Sequence, residues 1–160
     1  MAPLFKFVFK LTNYMYFVSG VFLTFVMLLT VSDVVLRYLG RPIPGTYELV
    51  ALSGAIVVGF AIPYTSWVRG HVFVEFLVDK LSKEHRRAMM IFTKALILLF
   101  FVFLGVNLIL LGESIRANGQ VSLTLQIPFY PVAYGLGLCS FLECLVMLCD
   151  ILRVRGGEYE

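Results

Sequence analysis

The sequence predicts an all-α membrane protein: four transmembrane helices, with a short amphipathic surface helix between spans two and three. Three observations carry this expectation. The chain has 160 residues, 60% hydrophobic and only 14% charged, whereas a soluble domain is about a quarter charged. The charges are segregated, and Leu11 to Ser32, Leu49 to Val68 and Ala95 to Gly112 carry none. These runs are continuous rather than alternating. Backbone groups in lipid must be satisfied within a helix or a closed barrel, and a barrel strand would alternate.

The spans are expected at about 12–36, 47–67, 87–111 and 128–152, in a single four-helix membrane domain over 1–160. Each meets the roughly 20 residues that a helix needs to cross hydrocarbon. Lys6 and Lys10 precede the first run as they would in a signal peptide. That run is too long for such a peptide's apolar region, and no A-x-A site follows, so a retained first span is expected. The first two spans read as unbroken apart from glycine, and no internal repeat relates 1–80 to 81–160.

Lysine and arginine orient the chain. Lys6, Lys10, Arg69, Lys80, Lys83, Arg86, Arg87, Lys94, Arg153 and Arg155 fall on one side, and only Arg37, Arg41 and Arg116 on the other. The positive-inside rule puts both termini and the middle loop in the cytoplasm. The Asp33–Glu48 hairpin and the Glu113–Ile127 loop then face outward, toward the periplasm in a Gram-negative cell. The basic residues flank apolar runs and form no extended basic face, which argues against a nucleic-acid partner.

In the middle loop, Val72, Phe73, Phe76, Leu77 and Leu81 alternate with Glu75, Asp79 and Lys80. That spacing predicts an amphipathic helix lying flat on the cytoplasmic surface of the bilayer, over about 72–81. In the second outer loop, Asn118-Gly119 reads as a helix stop. Ser122 to Gln126 alternates as an extended segment would, and Pro128 suits the first turn of span four.

Candidate functional residues are few. Asp33 and Arg37 lie four apart and share a helix face, so they can form a structural ion pair. Pro42, Pro44 and Gly45 force a tight connection. Glu48 then opens the second span, where the helix dipole favours an acid. The other reading makes Arg37, Arg41 and Glu48 a docking patch for a partner outside the membrane; the two roles are compatible. Glu143 lies about 4–5 Å from the centre of its span. Its charge there costs on the order of 2.5–3.5 kcal/mol on insertion scales. It is read as a polar contact to another helix or subunit, as a proton or ion site, or as a snorkelling side chain. Ala51, Ala55 and Gly59, and Ala133 and Gly137, recur at spacing four. Such stripes let helices approach closely, within the bundle or against a second subunit.

The chemistry of catalysis is missing from the pattern. The only histidines, His71 and His85, lie in the middle loop, so no haem ligand falls inside the bundle. Cys139, Cys144 and Cys149 fall at intervals of five, share no helix face and read as buried thiols. No glycine-rich phosphate loop or hydrolytic arrangement appears. The expectation is no enzyme activity, no cofactor and no metal. A lone transporter needs a midplane site of broken helices, and only Glu143 and Asn107 offer polarity at depth. The pattern is that of an accessory subunit.

Three stretches then carry a resemblance: the arginine–turn–glutamate hairpin Arg37 to Glu48, RGHVFVEFLVDKL from Arg69 to Leu81, and SLTLQIPFYPVAY from Ser122 to Tyr134. Within the second, Gly70, His71, Val72 and Val74 fit a G-H-hydrophobic-x-V pattern. Within the third, Ile127, Pro128 and Phe129 fit Ile-Pro-aromatic. With four spans and a surface helix between the middle pair, the chain resembles the small membrane (Q, DctQ-like) subunit of tripartite ATP-independent periplasmic (TRAP) transporters. Tyr47 stands where that family often has tryptophan. The resemblance implies a much larger M subunit of the inner membrane that moves the substrate with sodium. It also implies a periplasmic substrate-binding protein that delivers an organic acid such as sialic acid or a C4-dicarboxylate. The small subunit would brace the scaffold and help to dock that protein. On this reading Arg37, Arg41 and Glu48 lie near the docking surface, the 72–81 helix braces the cytoplasmic side, and Ala51, Ala55, Gly59, Gly137 and Glu143 meet the large subunit. The alternative is a self-contained, ion-coupled homodimer using Glu143.

Overall fold

The computed structural model of the chain describes residues 2–68 and 83–155. They form four helices: α1 (Ala2–Tyr38), α2 (Thr46–Trp67), α3 (Lys83–Ala117) and α4 (Tyr130–Arg155). All four are long and apolar enough to cross a membrane. The expected surface helix, with Val72, Phe73, Phe76, Leu77 and Leu81, lies outside the described residues. So do Gly70 and His71 of the second resemblance stretch.

Two of the helices outrun the expected spans. α1 begins at Ala2, well before residue 12, and its 37 residues measure about 55 Å. That exceeds a hydrocarbon core of about 30 Å, so α1 tilts or projects. Its first turns persist because Val8 and Thr12 are buried. Val8 joins Val146, Met147 and Cys149 of α4 in one apolar cluster, with Phe5, Trp67, Ile97 and Leu98 packed around it. This cluster ties together all four helices at the end that carries the termini, called here the terminal end. α3 also runs longer than expected, to Ala117.

The opposite, loop end is formed by two matching helix stops. Gly40 and Gly119 adopt φ of +76° and +61°, a left-handed conformation that glycine takes without a Cβ penalty. Arg41 N–H donates to Leu36 O and Gly40 N–H to Arg37 O, and Gln120 N–H donates to Ile115 O and Gly119 N–H to Arg116 O. Each set satisfies orphan carbonyls of a helix end in a Schellman motif.

The helices stand in the spatial order α1, α2, α4, α3. α1 and α2 are antiparallel, with Phe9 against Trp67 and Ser19 Oγ donating to Val57 O at 2.9 Å. α3 and α4 are antiparallel too: Gly112 faces Tyr134, and Gly137 faces Ile109. The two hairpins meet through α2 and α4, which run parallel, with Gly59 against Leu136 and Ser66 against Glu143. α4 is therefore central. Of its most apolar stretch 56% is buried, against 11% for α1 and for α3. Large apolar side chains such as Phe17, Leu28, Leu99 and Phe103 face outward from the flanking helices, as a bilayer or a membrane partner allows. Contrary to the reading of the second span as unbroken apart from glycine, α2 also runs through a buried Pro63, which removes the hydrogen bond that Gly59 O would otherwise accept.

Candidate functional sites at the loop end and in the polar seam

At the loop end, two carboxylates organise the backbone. Asp33, near the end of α1, is buried. Its Oδ2 accepts from Arg37 Nη2 at 2.7 Å and its Oδ1 from Ile43 N–H at 2.9 Å. Thr46 Oγ donates to Ile43 O at 2.9 Å. One anion thus ties α1 to the turn and to the start of α2. Arg37 remains half exposed, and its guanidinium lies 5.6 Å above the Tyr47 ring, within cation–π range. Arg41 is exposed.

Glu48, in the first turn of α2, spends its charge on the other loop. Its Oε2 accepts from Ser122 Oγ at 2.7 Å and from Leu125 N–H at 3.0 Å. Its Oε1 accepts from Thr124 N–H at 2.7 Å. Ser122 Oγ in turn accepts from Ile127 N–H at 3.1 Å, and Ser122 N–H donates to Ile127 O at 2.9 Å. The segment expected to be extended is therefore a closed turn, with Val121 bridging Pro128. The side chain of Leu125 lies directly over Gly45, where a Cβ would collide with it. Hydrogen bonds to an ionised acceptor are the stronger kind, so the two loops form one tied surface. With Asp33 and Glu48 occupied, Arg37, Arg41 and Arg116 are exposed cations there, alongside exposed Glu113.

Within the membrane layer a polar seam follows α4. Glu143 is 1% exposed. Its Oε1 accepts from Ser66 Oγ at 2.6 Å, while its Oε2 is buried and has no partner among the described residues. Two turns further along α4, Asp150 pairs with Lys94 of α3, and both are buried. Of the residues expected at a subunit boundary, Gly59, Gly137 and Glu143 contact helices of this same chain. Ala51 is exposed and Ala55 is partly buried. Sequence reasoning missed the Lys94–Asp150 pair and took Lys94 for a loop-side charge. The seven-residue spacing of Glu143 and Asp150, which puts both on one face of α4, was the available signal. It missed the Glu48 clamp as well.

Among the described residues, no group of three or more His, Cys, Asp or Glu could hold a metal ion. The arrangement defines a class: a multi-pass helical membrane protein whose polar groups tie its own helices and loops together. The chain belongs to the DctQ component family of tripartite ATP-independent periplasmic transporters, whose pattern it matches over residues 26–156. It is thus a small membrane component of a transporter assembled from several parts. No curated protein sequence matches it significantly.

Proposed function

We propose that the chain is the accessory subunit that braces a TRAP transporter of the bacterial inner membrane. It pairs with the large membrane subunit and helps to dock a periplasmic substrate-binding protein. The assembled transporter takes up an organic acid, such as sialic acid or a C4-dicarboxylate, with sodium. Both termini lie in the cytoplasm and the loop end faces the periplasm. The family match over 26–156 carries this reading. The tied loop end supports it, because a surface held by two anchored carboxylates is preorganised for a partner. Arg37 and Arg41 face that partner, and the exposed faces of the flanking helices meet lipid and the large subunit.

The test is purification of the tagged chain from its native membrane in nanodiscs. Co-elution of a much larger polytopic protein at a one-to-one ratio is the expected result. A homodimer without that protein would overturn the reading. It would favour an ion-coupled transporter built around Glu143, whose Oε2 is buried without a partner among the described residues.

A further inference from the structure

Leu123 is held from both sides. Its predecessor Ser122 and its successor Thr124 are both bonded to the Glu48 carboxylate, and Leu125 N–H makes the third bond. Between these anchors the Leu123 side chain is 98% exposed. A single exposed leucine is ordinary; one fixed at the tip of a turn that a carboxylate closes is a presented side chain. It does not stand alone, since Tyr47 is 77% exposed one residue before Glu48. Arg37 lies over the Tyr47 ring, and Arg41 is exposed nearby in sequence.

We propose that Leu123 is the apolar anchor of the docking surface at the loop end, and that Glu48 acts as a positioning residue that fixes the anchor. This rests on the docking reading above and reassigns Glu48 within it. Glu48 does not face the partner; its charge is spent on Ser122, Thr124 and Leu125. The occupant is a soluble protein that offers an apolar socket with carboxylates on its rim. The socket takes Leu123, and the rim meets Arg37 and Arg41. Charge complementarity selects this occupant: Arg41 is exposed, Arg37 stays half exposed while paired with Asp33, and the Glu48 charge is taken up by the other loop. Anionic lipid headgroups would satisfy the arginines equally well, but a fluid layer does not require a fixed turn. Interfaces of this kind draw their binding energy from a central desolvated anchor and their orientation from peripheral charge.

The experiment measures affinity and its salt dependence between the purified transporter complex in nanodiscs and its soluble substrate-binding protein. Leu123→Asp is expected to weaken binding about tenfold or more, and the neutral Leu123→Ser should weaken it without altering the salt slope. Glu48→Ala should weaken it comparably, again at unchanged slope, and the double variant should lose no more than either alone. Glu48→Gln, which retains an acceptor oxygen, should recover part of the loss. Arg41→Glu should change the slope instead. An unchanged thermal transition of the complex establishes that Leu123→Asp leaves the fold intact. If Leu123→Asp binds as the parent does while Arg41→Glu weakens binding, the anchor is wrong and the docking reading survives. If neither variant changes binding, both fail. A photo-crosslinker at position 123 should capture the added binding protein, and capture of lipid or of the large subunit would overturn the proposal.

Discussion

Ser66 and Glu143 meet at 2.6 Å across 77 residues of sequence, and through them the first helical hairpin grips the second. The bond has one oxygen to spare: Oε2 of Glu143 is buried without a partner among the described residues. In a low-dielectric layer a polar contact is strong when made and costly when left open.

Ser66→Ala should therefore destabilise the assembled protein by about 1–3 kcal/mol, the usual cost of stranding a buried polar group. Glu143→Gln keeps an acceptor for Ser66 and should sit close to the parent. Thermal unfolding of the complex in detergent, followed by size-exclusion, reads both. In a transport assay, Glu143→Gln should remain active if the chain is a scaffold. Loss of transport with normal assembly would instead make Glu143 an ion site.

The Lys94–Asp150 pair gives a sharper contrast. Removing one partner takes its counterion from a buried charge, a loss of up to about 3–5 kcal/mol. Lys94→Leu should strongly lower the amount of folded chain in the membrane, and Lys94→Leu with Asp150→Leu should restore much of it. In-membrane fluorescence of a fused reporter would show the difference. Additive losses in the double variant would contradict the pairing.

Glycine packing separates two helix contacts. A Cβ at Gly112 would stand 2.7 Å from the ring of Tyr134, and an aromatic ring cannot fold away. A Cβ at Gly59 would meet the far end of Leu136, which can change rotamer. Gly112→Ala should therefore cost about 1–3 kcal/mol and Gly59→Ala less, measured as shifts in the thermal transition of the purified complex. The reverse order would mean that α3 and α4 relax more readily than α2 and α4.

Charge reversal at Arg41, an exposed residue, should weaken binding-protein docking about threefold to tenfold at low salt, with a smaller effect at high salt. Arg37→Glu should do more, because it also removes the partner of Asp33. Salt-series titrations of the two variants would reveal the distinction, and equal effects would detach Arg37 from its structural role.

The helices were legible because uncharged runs of this length have few alternatives. The start of α1 was not: Lys6 and Lys10 look like flanking charge, and only the burial of Val8 against Val146 explains why the helix continues. Asp33 and Arg37 were legible from four-residue spacing on one helix. The partners of Glu48 were not, since Ser122 lies 74 residues away and an alternating segment reads as extended until a carboxylate closes it. Glu143 stood out as an acid in an apolar run, yet nothing in the run around Ser66 marks that serine as its donor. Pro63 was overlooked when the second span was read as unbroken apart from glycine, although the residue stands in the sequence, and its place beside the Gly59 contact was not legible at all.

The central position of α4 also bears on how the protein is made. A membrane chain enters the bilayer helix by helix in the order of synthesis, and α4 is the last of the four. Helices α1 to α3 must therefore wait in lipid while Glu143, Asp150 and Val146, the counterparts of Ser66, Lys94 and Val8, are not yet present. Among the described residues, α3 and the first hairpin have little to hold them to one another before then, because their contacts run through α4. Biogenesis thus ends on a closing step, in which the arriving helix seals the apolar cluster and both polar contacts together. A ribosome that stops short of α4 would leave three inserted helices and no subunit for quality control to spare.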